Sequence, residues 1–107
     1  MSNFENPEDQ KLATLALATQ KRTGSSQAAA LRDSTGRTYV AISISTPELT
    51  LDAIQAVFTV AMASQISGIE AVVLAGNSTG ATSVIYTHSP SAAIFHIDES
   101  GVITALR

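Results

Sequence analysis

No Lys, Arg, Asp or Glu lies between Asp52 and Glu70, and within that gap TLDAIQAVFTVA, Thr50 to Ala61, reads as a helix. Leu51, Ile54, Val57, Phe58 and Met62 form a stripe of large apolar side chains, and Ala53, Ala56, Ala61 and Ala63 fill much of the remainder. A helix that is apolar around most of its circumference is buried on more than one side. The rest of the chain must therefore wrap around this segment. Thr50, or Thr46-Pro47, is expected to open it and Gly68 to close it. Gln55, Thr59, Ser64, Gln65 and Ser67 interrupt it, and it is shorter than the roughly 20 apolar residues that span a bilayer.

The flanking segments supply what could wrap it. Asn6-Pro7-Glu8-Asp9 has an Asn cap, a first-turn Pro and two acids, and Leu12, Leu15, Ala16 and Thr19 then share one face as far as Gly24. These are the marks of a first helix. QAAALRD and TGRTYVAISIS read as a hairpin turning at Asp33-Ser34-Thr35-Gly36. Val40, Ile42 and Ile44 alternate with Ala41, Ser43 and Ser45, giving the second strand a large face and a small face that suits close helix packing. IEAVVLAG is a short continuous apolar run, as in an interior strand covered on both faces. Beyond the Gly76–Gly80 loop, TSVIYTH reads as a strand, and AAIFHI and VITALR as a last hairpin turning at Asp98–Gly101. The order is helix, hairpin, helix, then about four strands: an α/β sandwich.

The 107 residues fit one domain, residues 1–107, with Met1–Glu5 expected to fray. Charged residues make up 14%, against about 25% in an average domain. So few charges favour a protein that covers part of its surface with another copy of itself. Lys11, Lys21, Arg22, Arg32 and Arg37 all precede Thr38, and no further Lys or Arg appears until Arg107. Phosphate backbones need clustered basic side chains, so no nucleic-acid partner is expected. With no cysteine there is no disulfide framework and no thiolate ligand. The acidic N-terminus MSNFENPEDQ is unlike a secretory leader, so a cytoplasmic protein without a membrane partner is expected.

Three words taken together, QAAALRDSTGRTYVA, LTLDAIQAVFTVAMA and IEAVVLAG, resemble the cytidine deaminase family. Its members carry a helix, a G-A-A…G-R-x-Y hairpin, a zinc-binding helix and an I/L-x-A-x-x-V-V strand. The resemblance covers about the first two-thirds of the chain and implies a cytidine deaminase-like sandwich with a central mixed sheet. It also implies a homo-oligomer, dimer or tetramer. Deaminases of this type hold zinc with a Cys or His at the start of the second helix and two Cys in a P-C-x-x-C helix start, and a Glu shuttles protons. Here Asp52 stands at the first ligand position and Ile54 at the shuttle. Ser91 and Ile94 stand at the two cysteine positions if Ser89-Pro90 marks that motif. No zinc or other cofactor is expected, and deamination by the family mechanism is disfavoured.

Two alternatives stay open. An altered, zinc-independent site for a nucleoside-like small molecule would draw on Glu48, His88, His96 and Asp98, the remaining candidates for acid–base or metal chemistry. A roadblock- or profilin-like interaction module has a similar element order. A wholly antiparallel meander would mark that fold, and parallel strands beyond the first hairpin would mark the deaminase fold. The reading carried forward is a non-catalytic, oligomerising or partner-binding member of the deaminase-like fold.

Overall fold

The computed structural model describes residues 4–106. In chain order it has α1 (Pro7–Thr23), β1 (Gln27–Asp33), β2 (Thr38–Ile42), β3 (Ile44–Ser45), β4 (Thr50–Leu51), α2 (Ala53–Ala63), β5 (Ile69–Gly76), α3 (Ser83–His88), β6 (Ala93–Ile97) and β7 (Ile103–Ala105). Five strands form one mixed sheet in the order β2-β1-β5-β6-β7. The β5–β6 pair is parallel and the other pairs are antiparallel. A parallel pair excludes the antiparallel meander, and with it the roadblock- or profilin-like alternative. β3 and β4 form a separate two-residue ladder.

α1 covers one face of the sheet. α2 and α3 cover the other, which makes three layers. Helix α1 starts where its sequence directs: Asn6 Oδ1 accepts from Glu8 N at 2.9 Å, and Gly24 takes the left-handed conformation at its end. Every residue of β1 is buried. Its Ala30 packs toward α1, whereas Ala29 and Leu31 pack toward α2, so small side chains let both helices approach the sheet. β5 alternates in the same way, with Ala71, Val73 and Ala75 under α1, and Val72 and Leu74 under α2. In β2, Tyr39 and Ala41 join the α2 cluster and Val40 the α1 cluster.

α1 is also tied down electrostatically. Arg32, on β1, places Nη2 2.8 Å from Asp9 Oδ1 and Nε 3.1 Å from Glu70 Oε1. Burial alone would lower the Arg32 pKa, but the two carboxylates more than offset it and raise the value. Removing one partner of such a buried pair strands the other charge, so the pair fixes where α1 lies on the sheet.

Three details differ from the sequence expectations. TSVIYTH is helical over Ser83–His88 rather than a strand. Its β-branched residues favour a strand, but two parallel neighbours need a crossover connection, and a helix is the usual solution. Ile85 buries into the α2 cluster and Tyr86 Oη donates to Leu106 O at 2.7 Å, which holds the short helix in place. The second helix is shorter than expected, because Thr50–Leu51 pair with Ile44–Ser45 and the cap is Asp52. At its other end the helix stops at Ala63, with Gln65 at φ 60°, before Gly68 is reached. Of Met1–Glu5, Met1–Asn3 lie outside the described residues. Phe4 packs its ring edge against Phe95 with centroids 5.0 Å apart.

The first hairpin rests on Asp33. Its Oδ1 accepts from Thr35 N, Thr35 Oγ1 and Arg37 N, and Oδ2 accepts from Tyr39 Oη. Burial pushes its pKa up, but these donors outweigh burial and hold it below the ordinary aspartate value of 3.8. The folded state therefore keeps this charge where the unfolded chain has begun to bind a proton. Its contribution is complete above about pH 3.8 and is lost as pH falls through the lower folded value. Asp33→Asn is expected to lower the urea midpoint at pH 7. At pH 2.5 to 3 the gap to wild type should narrow. Equal gaps at both pH values would contradict this role.

Candidate functional site

The site where this fold could carry chemistry lies at the Gly76 end of β5, where the start of α2 meets the segment leading into α3. Asp52 is the α2 cap. Its Oδ1 accepts from Gln55 N at 2.9 Å, while Asp52 N donates to Gln55 Oε1 at 3.0 Å, a reciprocal capping box. Asp52 Oδ2 reaches across to Ala81 N at 2.9 Å, immediately before α3. A single carboxylate thus ties together two helix starts that are 29 residues apart in the chain. Anions are favoured at such ends, where backbone N–H groups lack partners within the helix.

Gln27 completes the closure from below. It is 5% exposed at the first position of β1. Its Oε1 accepts from Ala53 N at 3.1 Å, and its Nε2 donates to Asn77 O at 2.8 Å and also to Thr79 O. All its capacity but one lone pair is spent fixing α2 and the loop after β5 to the sheet. Gly76 makes the tight exit possible. It adopts φ +92°, and a Cβ there would lie 2.2 Å from Ser26 O. Farther along the Gly76–Gly80 loop, Asn77 N donates to Ser26 O and Thr79 N to Asn77 Oδ1. A helix rather than a strand follows this loop. Ala81 N is taken by Asp52 and Thr82 N by Gly80 O, so these two amides at the approach to α3 already have partners.

Ile54 is fully buried, with its Cδ1 against Gly80, and belongs to the core. Ser91 and Ile94 are not brought to Asp52. Ile94 lies on β6 opposite Val72, four residues from Gly76 along β5, or about 13 Å at the usual strand rise. Ser91 is exposed in the turn before β6, farther still from that end. The helix start that faces Asp52 is Ala81-Thr82-Ser83-Val84. Because Ser83–His88 is a helix, the helix start comes before Ser89-Pro90 rather than after it.

Glu48, His88, His96 and Asp98 fall on separate elements. Glu48 is exposed in the turn between β3 and β4. His88 ends α3, with Nδ1 2.8 Å from Ser89 Oγ and its ring edge-on to Phe58 at 5.8 Å. Ser89 Oγ in turn accepts from Ile69 N, so this pair anchors the start of β5. His96 lies 2.7 Å from Gly76 O through Nε2. A carbonyl only accepts, so Nε2 carries the proton. Asp98 accepts from the backbone N–H of Val102 and from Ser100, which together with the nearby His96 hold its pKa below the ordinary range. It closes the β6–β7 turn. Among the described residues, no group of three or more His, Cys, Asp or Glu is placed to hold a metal ion.

The sequence model of cytidine deaminase-like proteins matches residues 5–101. The chain belongs to the cytidine deaminase-like family. The crystal structure of cytidine deaminase from Mycobacterium leprae is similar in fold, with a TM-score of 0.67 over 90% of this chain and 91% of that one, at 17% identity. A search of curated proteins gave no match.

The zinc expected of a cytidine deaminase-like fold does not fit these residues. Zinc needs three or four anionic or imidazole donors converging at about 2.0–2.3 Å. Both oxygens of Asp52 already accept backbone N–H bonds, and the facing segment offers a methyl, two neutral hydroxyls and Val84. Gln27 was not singled out from the sequence. Its signal was a polar residue opening the all-buried QAAAL run, where a buried amide must find partners. Asp52→Ala is expected to cost about 2 kcal/mol, one cap plus the unpartnered Ala81 N–H. Asp52→Asn should cost roughly half of that, because its amide keeps one accepting oxygen. Urea midpoints of the two variants check the order. A neutral Asp52→Ala would contradict the bridging role.

Proposed function

We propose that this cytidine deaminase-like chain is a non-catalytic module whose work is association, first of all with copies of itself as a dimer or tetramer. The observation that carries the reading is the use of both Asp52 oxygens. Where the family mounts a metal-activated water, Asp52 accepts two backbone N–H bonds and no group of three metal-binding side chains converges among the described residues, and Ile54 stands at the position of the proton shuttle. Without metal activation of water, the hydrolytic mechanism has no nucleophile.

The surface of α2 supports the positive half of the reading. Thr59, Val60, Ala63 and Ser64 are exposed along it, and Val60 is 42% exposed. Beside it, Phe58, Val84, Thr87 and His88 line an open, mainly apolar cavity of about 540 Å³ between α2 and α3. No Lys, Arg, Asp or Glu lies on the chain from Ala53 to Ile69 to oppose burial of this face. An uncharged, partly apolar helix face of this kind fits an isologous contact with a second copy. Two helices can meet there without leaving a buried charge unpaired.

Light scattering over a concentration series tests the reading. The wild-type protein should elute with a multiple of its 11.1 kDa mass, and Val60→Lys should shift it toward the monomer while its circular dichroism is unchanged. Cytidine should release no ammonia. A wild-type monomer at all concentrations, or measurable turnover, would overturn the proposal.

A further inference from the structure

The sheet has two open edges, and they are unlike each other. β7 is three residues long, the short kind of edge strand that resists further pairing. β2 is five residues long and partly buried, with Val40 packed into the α1 cluster and Tyr39 and Ala41 into the α2 cluster. Among the described residues, however, it has only β1 as a neighbour. Natural edges are usually blunted by charge, proline or a bulge. The register between β1 and β2 runs without a bulge, and no charged residue, proline or glycine occurs from Thr38 to Thr46.

The direction of the free backbone groups follows from two bonds that bracket the β1–β2 pair. Asp33 N donates to Arg37 O and Ser43 N donates to Gln27 O. Hydrogen-bonded pairs alternate along an antiparallel ladder, so Tyr39 and Ala41 bond inward to β1. Thr38, Val40 and Ile42 point their N–H and C=O groups outward.

We propose that β2 is a self-pairing strand, and that two copies of this chain join antiparallel about a two-fold axis at Val40 to make one continuous sheet. The strand is its own complement in that register. Thr38 stands opposite Ile42 of the second copy, and Val40 opposite its counterpart, so the outward groups meet each other in hydrogen-bonding positions. On the α2 face the large Tyr39 side chain meets the small Ala41, and on the α1 face the pairs are β-branched, a favourable cross-strand choice. Arg37 meets Ser43, so no like charges oppose. This pairing uses the sheet edge, a different surface from the α2 face, and either contact can exist without the other.

Hydrogen exchange of the wild-type backbone amides, read residue by residue, tests the pairing. As concentration rises from about 5 to about 500 μM, the amides of Thr38, Val40 and Ile42 should slow at least about tenfold, while Tyr39 and Ala41 stay protected throughout. Association through α2 alone would leave the three outward amides fast at every concentration, which would overturn the strand pairing and leave the α2 contact standing. Thr38→Pro supplies the second arm. It removes an N–H that makes no bond within the subunit and sits at an exposed edge position where proline is tolerated. It should abolish the concentration dependence, and Thr38→Ala should retain it. Unchanged concentration dependence in a folded Thr38→Pro would overturn the proposal, as would capture of the edge only by foreign extended peptides.

Discussion

The Asp52 carboxylate is the contact on which the functional half of this structure depends. It serves two helix starts at once, capping α2 through Oδ1 and holding the approach to α3 through Oδ2. Each bond is of ordinary length, but together they set how close α3 comes to α2. The Gln27 amide fixes α2 and the loop after β5 to the sheet from the other side. A metal centre would do this work by gathering ligands from two helices. Here hydrogen bonds to the Asp52 carboxylate and from and to the Gln27 amide do it.

That arrangement needs a rigid floor, and β1 and β5 provide it. Three alanines in β1 and two in β5 are fully or almost fully buried. Small side chains on both faces bring α1 and α2 close to the central strands, and the larger Leu31, Val72, Val73 and Leu74 fill the remaining volume. The Arg32–Asp9–Glu70 cluster then fixes the position of α1 by charge as well as by apolar contact. Both faces of the sheet are covered by helices, and the outer side of α2, the α2–α3 cavity and the β2 edge stay open among the described residues.

Much of this was legible in the sequence because local and global signals agreed. Asn6-Pro7 with Gly24, the Asp33–Gly36 turn, the uncharged helix and the IEAVVLAG run each point to the element that forms, and the words QAAALRDSTGRTYVA, LTLDAIQAVFTVAMA and IEAVVLAG resemble the family to which the chain belongs. The part that was not legible turns on Ser83–His88. Thr82, Val84, Ile85 and Thr87 read as strand residues, and only the parallel pairing of β5 with β6 makes a helix there necessary. A strand reading of this stretch moves the second half of the degenerate metal site to Ser91 and Ile94, before and at the start of β6. Gln27 was missed for another reason. Its importance lies in three partners distant in sequence, which spacing cannot reveal.

The most direct test of this account is the metal content of the purified, chelator-treated protein after re-exposure to zinc, together with its thermal midpoint in excess zinc. If hydrogen bonds from Asp52 and Gln27 close the site, the protein will retain well under one equivalent of zinc, and its midpoint will not move. Retention of one zinc per chain, with a rise in midpoint that Asp52→Ala abolishes, would contradict it.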